Sequence, residues 1–188
     1  GIGWYRKKLD IPASDAGRRI VLEIDGAMSY ATVWLNGRLV GGWPYGYSSW
    51  QLDLTPYVAF GGTNQLAIRL DNPPRSSRWY PGGGLYRNVW LTKTQPVHVG
   101  QWGTQIVSRD VSKTAATLDL AVTLANDSTA AATVSVATQV FALDSAGQKT
   151  GEAVATFPAA ETAIAAGAQA RVNGTVTLTN PQLWGPRP

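Results

Sequence analysis

The sequence predicts an all-β protein made of two consecutive β-sandwiches, and three observations predict it. Apolar side chains recur with a period of two in both halves, the pattern of a strand with one buried face. Turn signals fall between these runs every 8 to 12 residues, the spacing of sandwich strands. Nowhere do helical stretches alternate with strands as a parallel α/β sheet would require.

The first half supplies clear elements. The chain opens on GIGWYRKKL, which already reads as a strand. Ile20, Leu22 and Ile24 alternate with Arg19, Glu23 and Asp25, and Leu66, Ile68 and Leu70 alternate with Ala67 and Arg69. Asn36-Gly37 separates ATVWL from RLVGG; both residues accept positive φ, so a tight hairpin is expected there. In the second half Leu118, Leu120, Val122 and Leu124 alternate with Asp119, Ala121 and Thr123, and Val134, Val136, Val140, Val172, Val176 and Leu178 continue the pattern. Ala146-Gly147 marks a turn. The Ala-rich stretch 159–170 is interrupted by Thr162, Ile164 and Gly167 and lacks an amphipathic stripe, so it reads as loop plus strand.

Composition divides the chain near residue 102. Seven of eight Trp and all seven Tyr lie at or before Trp102. Residues 1–103 hold 11 basic and 6 acidic side chains, whereas 104–188 hold 5 and 6. The expected domains are 1–101 and 102–188, joined through Val99–Gly103, whose two glycines suit a short linker.

Charge and composition exclude several functions. The net charge of +4 is mild and unclustered, and the best basic run, Arg6-Lys7-Lys8, points to alternate strand faces, so nucleic acid is not an expected partner. No apolar run approaches the ~20 residues of a membrane span, so no membrane partner is expected either. Without Cys and with the single His98, expected at a strand end, the sequence offers no metal site. No strand–Ser–helix elbow is present, and Gly82–Gly84 do not open a helix that could cradle a phosphate. The expected cofactors are therefore none. The twelve carboxylates are scattered over turns and polar strand faces, and none stands in a setting that would raise its pKa.

Aromatic side chains are the informative supply. Trp43, Tyr45, Tyr47 and Trp50 crowd WPYGYSSW, and Trp79 and Tyr80 sit in SSRWYPGGGLY. Such rings either plug the ends of a sandwich or stack on the CH-rich faces of sugars while polar neighbours bond the hydroxyls. Asp71, Asn72 and Arg78 lie near Trp79 in the chain and favour the second use for that ring.

The ordered series GWYRKKL, ATVWLNGRLVGG, GYSSWQLDLTPYV, NQLAIRLDN and SSRWYPGGGLYRNVWL resembles the N-terminal sugar-binding, jelly-roll-like domain of glycoside hydrolase family 2, over about residues 3–99. NPQLWGPRP, Asn180 to Pro188, is similar to a segment of the immunoglobulin-like domain that follows in that family. The resemblance implies a jelly-roll-like sandwich followed by an immunoglobulin-like one. It also implies a parent enzyme that hydrolyses glycosides with retention, using two glutamates on a (β/α)₈ barrel. Those glutamates lie beyond this sequence, so no catalytic residue is assigned in it. Arg78 stands where glucuronidases usually carry an acid, which favours the β-galactosidase branch. In the family the loop between the last strands of the jelly roll reaches the barrel mouth, so Asp71, Asn72, Arg78 and Trp79 are the expected substrate-binding residues, with Arg87 structural after Tyr86 re-enters a strand. The implied partners are a β-galactoside or related glycoside and the catalytic barrel, with a homo-oligomer left open. A free-standing carbohydrate-binding module and a purely structural sandwich pair are the alternatives. Bacterial periplasm or cytoplasm is the favoured location. Five strands are expected in the second domain, around 104–109, 116–126, 132–143, 151–158 and 169–179, against about seven in an immunoglobulin-like sandwich. It is therefore expected to be truncated, with an uncovered apolar face that includes Val122, Val136 and Val140.

Overall fold

The computed structural model describes residues 1–79 and 82–185, and every long element in it is a strand. Two compact units are present, Gly1–Gln95 and Pro96–Pro188. The first contains β1 (Ile2–Ile11), β2 (Arg19–Ile24), β3 (Ala27–Met28), β4 (Ala31–Leu35), β5 (Arg38–Trp43), β6 (Trp50–Asp53), β7 (Gly62–Asp71), β8 (Gly84–Leu85) and β9 (Val89–Thr94). A four-stranded sheet β1-β7-β4-β5 packs on a three-stranded sheet β6-β2-β9, and β3 pairs with β8 at one end.

The period-two pattern determines this packing. Ile20, Leu22 and Ile24 of β2 point inward and meet Val33 and Leu35 of β4 and Leu66, Ile68 and Leu70 of β7, all buried. Each such side chain is worth about 1.5 to 3 kcal/mol relative to exposure. The Asn36-Gly37 turn closes β4 onto β5 with Leu35 opposite Arg38 and both turn residues at positive φ. Trp50 belongs to this core at 7% exposure, so it leaves the set of rings available to a ligand.

A buried polar side chain ties the base of the sandwich together. Asn64 is fully enclosed. Its amide donates to the carbonyls of Ala59 (3.0 Å) and Gly62 (3.1 Å), while its Oδ1 accepts from the Ala59 N–H (2.7 Å) and from Asn36 Nδ2 (2.8 Å). These bonds hold the chain between β6 and β7 and the β4–β5 turn in one arrangement.

The second unit contains β10 (Val97–Arg109), β11 (Ala115–Asn126), β12 (Ala132–Val136), β13 (Gln139–Leu143), β14 (Lys149–Thr156), β15 (Ala160–Ile164) and β16 (Gln169–Thr179). Strands β10-β11-β16 form one sheet; β12 pairs with β15 and β13 with β14. Seven strands thus replace the five expected runs. The run 132–143 breaks between β12 and β13, and the run after Lys149 resumes beyond Phe157 as β15. Leu120, Val122 and Leu124 of β11 pack with Phe157 and Ile164, and Val134, Val136, Val140, Val172 and Val176 cover them in part. Val122 is therefore buried rather than left on an open face, while Val136 and Val140 are half-buried.

The expected linker 99–103 lies inside β10. The second unit begins at Pro96, and the register of β10 on β11 shifts between Val99 and Thr104. Gly103 serves this bulge: a Cβ there would come within 2.6 Å of the Thr123 carbonyl oxygen. The glycines that read as a flexible joint are instead places where two backbones approach closely.

Candidate functional site

The loop that leaves β7 and returns as β8 is built on its foot. The Asp71 N–H bonds the Ser29 carbonyl, the Ser29 hydroxyl donates to the Asp71 carbonyl at 2.8 Å, and the Asp71 carboxylate pairs with Arg69 at 2.9 Å. Asn72 closes the loop, its amide donating to the Gly82 carbonyl at 2.9 Å. Its Oδ1 is enclosed and has no partner among the described residues. Asp71 and Asn72 are half-buried and engaged mainly with the protein.

The return limb explains the glycines. Gly84 has φ +120°, and a Cβ on it would lie 2.7 Å from the Tyr5 hydroxyl. That hydroxyl accepts the Leu85 N–H at 3.3 Å. Only glycine fits both the backbone angle and the contact. Tyr86 and Arg87 lie between β8 and β9 rather than in a strand, because Tyr86 turns away to donate its hydroxyl to the Gly46 carbonyl at 2.8 Å.

The loop carries its two recognition candidates outward. Arg78 is exposed, and its guanidinium has no partner among the described residues. Trp79 is 61% exposed. It is nevertheless fixed: its indole N–H donates to the Tyr47 hydroxyl at 3.0 Å, and its carbonyl accepts from Ser77 Oγ at 2.7 Å. Asn72, Pro73, Arg75, Ser76, Arg78 and Trp79 line an open groove of about 490 Å³. A smaller hollow of about 300 Å³, lined by Tyr5, Met28, Leu70, Gly83 and Gly84, also touches Asn72. All four residues expected from the sequence therefore belong to one loop, two at its foot and two exposed. Tyr80, expected beside them, lies outside the described residues.

Sequence reasoning missed how the loop is held. The Tyr47 hydroxyl accepts the Trp79 indole N–H, the Tyr5 hydroxyl accepts the Leu85 N–H on the return limb, and Tyr86, just past that limb, donates its hydroxyl to Gly46 of the β5–β6 connection. The signal for Tyr5 was its parity in β1, opposite the buried Ile68 of β7 and so on the inner side of the sheet. Tyr47 was visible as an aromatic, but its bond to Trp79, 32 residues away, has no local signature.

Elsewhere the polar groups serve the framework. His98 at the start of β10 lies with Nδ1 3.2 Å from the Pro96 carbonyl oxygen and Nε2 3.8 Å from Asp127. Asp15 is buried and paired with Lys93 at 2.6 Å. Among the described residues, no three His, Cys, Asp or Glu side chains gather where a metal ion could be held. On the outer face of the second unit, Asp119 takes hydrogen bonds from Arg109 and from the Thr175 hydroxyl, and these hold its carboxyl down at about 2.

Comparison with known proteins identifies the family. Residues 3–100 match the family model described as the glycosyl hydrolase 2 galactose-binding domain-like, and residues 97–187 match that of glycosyl hydrolases family 2. A beta-galactosidase of Bacteroides ovatus is 40% identical over 185 residues, covering 98% of this chain and 21% of the relative. A beta-glucuronidase of Formosa agariphila is 27% identical, with 98% and 20% covered. A solved family 2 member from Bacteroides cellulosilyticus superposes with a TM-score of 0.85 at 32% identity, over 98% of this chain and 24% of that one. The chain thus spans about a fifth to a quarter of the length of these proteins. With residues 3–100 and 97–187 matched in order, the chain belongs to glycosyl hydrolase family 2.

Proposed function

We propose that this chain is the non-catalytic N-terminal part of a retaining, β-galactosidase-like glycoside hydrolase. Its first sandwich shapes the sugar subsite, and both sandwiches brace a (β/α)₈ barrel that carries the two catalytic glutamates. Asp71 and Asn72 set the foot of the subsite loop, Arg78 bonds sugar hydroxyls, and Trp79 walls the ring. One observation carries the reading: Trp79 is mostly exposed yet held by Tyr47, beside an Arg78 without a partner among the described residues, at the rim of a groove. A ring held in place and left open is prepared for a ligand rather than for the core.

The test uses the parent enzyme. Arg78→Ala and Trp79→Ala should each lower kcat/KM for a chromogenic β-galactoside by about tenfold or more, the worth of one lost charged bond or ring contact. The melting temperature should not move. Unchanged kinetics would remove the loop from the site. The pure 188-residue chain should hydrolyse no β-galactoside; turnover that persists through repurification would refute the reading.

A further inference from the structure

Trp79 is accounted for by the subsite loop, but the rings beside it are not. From the end of β5 to β6 the chain reads WPYGYSS, Trp43 to Ser49, and contains no Leu, Ile, Val or Met and no charged side chain. Trp43, Tyr45 and Tyr47 are 44%, 57% and 45% exposed. They are not loose. Trp43 donates its indole N–H to Ser48 Oγ at 2.9 Å. Tyr45 meets Tyr47 edge to face, with ring centroids 5.6 Å apart at 66°. Tyr47 in turn accepts the Trp79 bond, and Tyr86 pins the Gly46 carbonyl between the two tyrosines. The Tyr45 hydroxyl has no partner among the described residues.

Tyr45, Tyr47 and Trp79 are therefore a row of exposed rings with fixed orientations, Tyr47 and Trp79 bonded to each other and the Tyr45 hydroxyl left without a partner among the described residues. An exposed apolar patch held rigid in this way is a binding surface. Its chemistry selects the occupant. An aliphatic ligand or a membrane would be met by Leu, Ile or Val. A pyranose instead offers a CH face to a ring and hydroxyls to the groups around it, and β-galactose, whose axial hydroxyl lies on the other face, presents three C–H groups together. Aromatic faces and phenol edges match both demands.

We propose that Tyr45 and Tyr47 extend the Trp79 contact into a stacking platform for a second unit of a β-linked galacto-oligosaccharide, so that this chain itself distinguishes glycans by length. The proposal rests on the reading of the Trp79 loop as a sugar subsite. Isothermal titration of the 188-residue chain with galactose, β-1,4-galactobiose and β-1,4-galactotetraose tests it, with the Trp79 indole N–H followed by NMR. The tetraose should bind more tightly than galactose. Tyr45→Ala should lose about two- to tenfold in tetraose affinity, the worth of one aromatic contact, and leave the galactose response at Trp79 intact. Tyr47→Phe keeps the ring but removes the acceptor, and should broaden or shift the free Trp79 indole signal; circular dichroism confirms that both variants fold. Affinity independent of length, no binding of the tetraose, or a Tyr45→Ala chain that binds it normally overturns the platform. The subsite reading fails by a different result, unchanged kinetics of the Arg78→Ala and Trp79→Ala parent enzymes.

Discussion

Asp119 shows how far a single carboxylate can be displaced at a solvent-facing position. It sits on β11, opposite Thr175 of β16 and diagonal to Arg109 of β10, so three strands converge on one side chain. Hydrogen bonding from Arg109, then from Thr175, favours the ionised form and lowers its pKa to about 2. An acid whose folded pKa lies below its unfolded value of about 3.9 stabilises the fold above that unfolded value, and loses the contribution as pH falls toward the folded one. The Asp119 carboxyl carbon should therefore titrate by NMR near 2, and Asp119→Asn should flatten the acid limb of stability between about pH 4 and 2. A midpoint at the ordinary value would mean that the three-strand cluster does not persist in solution. Gly84 makes the opposite case, a residue defined by what it lacks. Gly84→Ala combines φ +120° with a 2.7 Å approach to Tyr5, and should cost about 1 to 3 kcal/mol. Chemical denaturation measures that cost, and a variant as stable as the parent would show that the β3–β8 end of the sandwich yields freely.

Among the elements, strands were legible and their joints were not. Ile20, Leu22 and Ile24 announced a buried face because period two is a local property of the chain. Asn36-Gly37 announced its turn because positive φ is a property of those residues. The loop expected to line a sugar subsite was assigned through the family resemblance, with Asp71, Asn72 and Arg78 close to Trp79 in the chain. What holds that loop was hidden, since Tyr47 and Tyr5 reach it, and Tyr86 ties its return limb to Gly46, across tens of residues. Gly100 and Gly103 misled for the same reason: close approach to Thr123 and flexibility call for the same residue. Asn64 was equally silent, because an asparagine at the start of a strand reads as surface until its partners are known. It satisfies Ala59, Gly62 and Asn36 at once inside the fold. Asn64→Ala should therefore strand several buried polar groups and cost about 2 to 4 kcal/mol, read from the shift of the urea midpoint. A loss under about 1 kcal/mol would mean that water replaces the amide there.

Across the molecule the two units are unequally packed. The cluster of the first holds twelve buried apolar side chains, drawn from both of its sheets. The second holds five, and its β16 alternates exposed with half-buried residues along all eleven positions without one that is fully buried. Ala170, Val172 and Val176 touch the core but keep part of their surface in water. Leu143 and Val154 are exposed outright. Hydrophobic stabilisation scales with the apolar area removed from water, so a strand half covered along its length contributes about half of what it could. Amide protection follows local stability, and the most slowly exchanging amides belong to the best-covered strands. In a dilute monomer the amides of Leu118–Leu124 should therefore exchange faster than those of Ile20–Ile24, and the second unit should melt first on heating. Equal protection of β11 and β2 would show that the second unit, despite its half-covered β16, is as stable as the first, and would end the argument from burial.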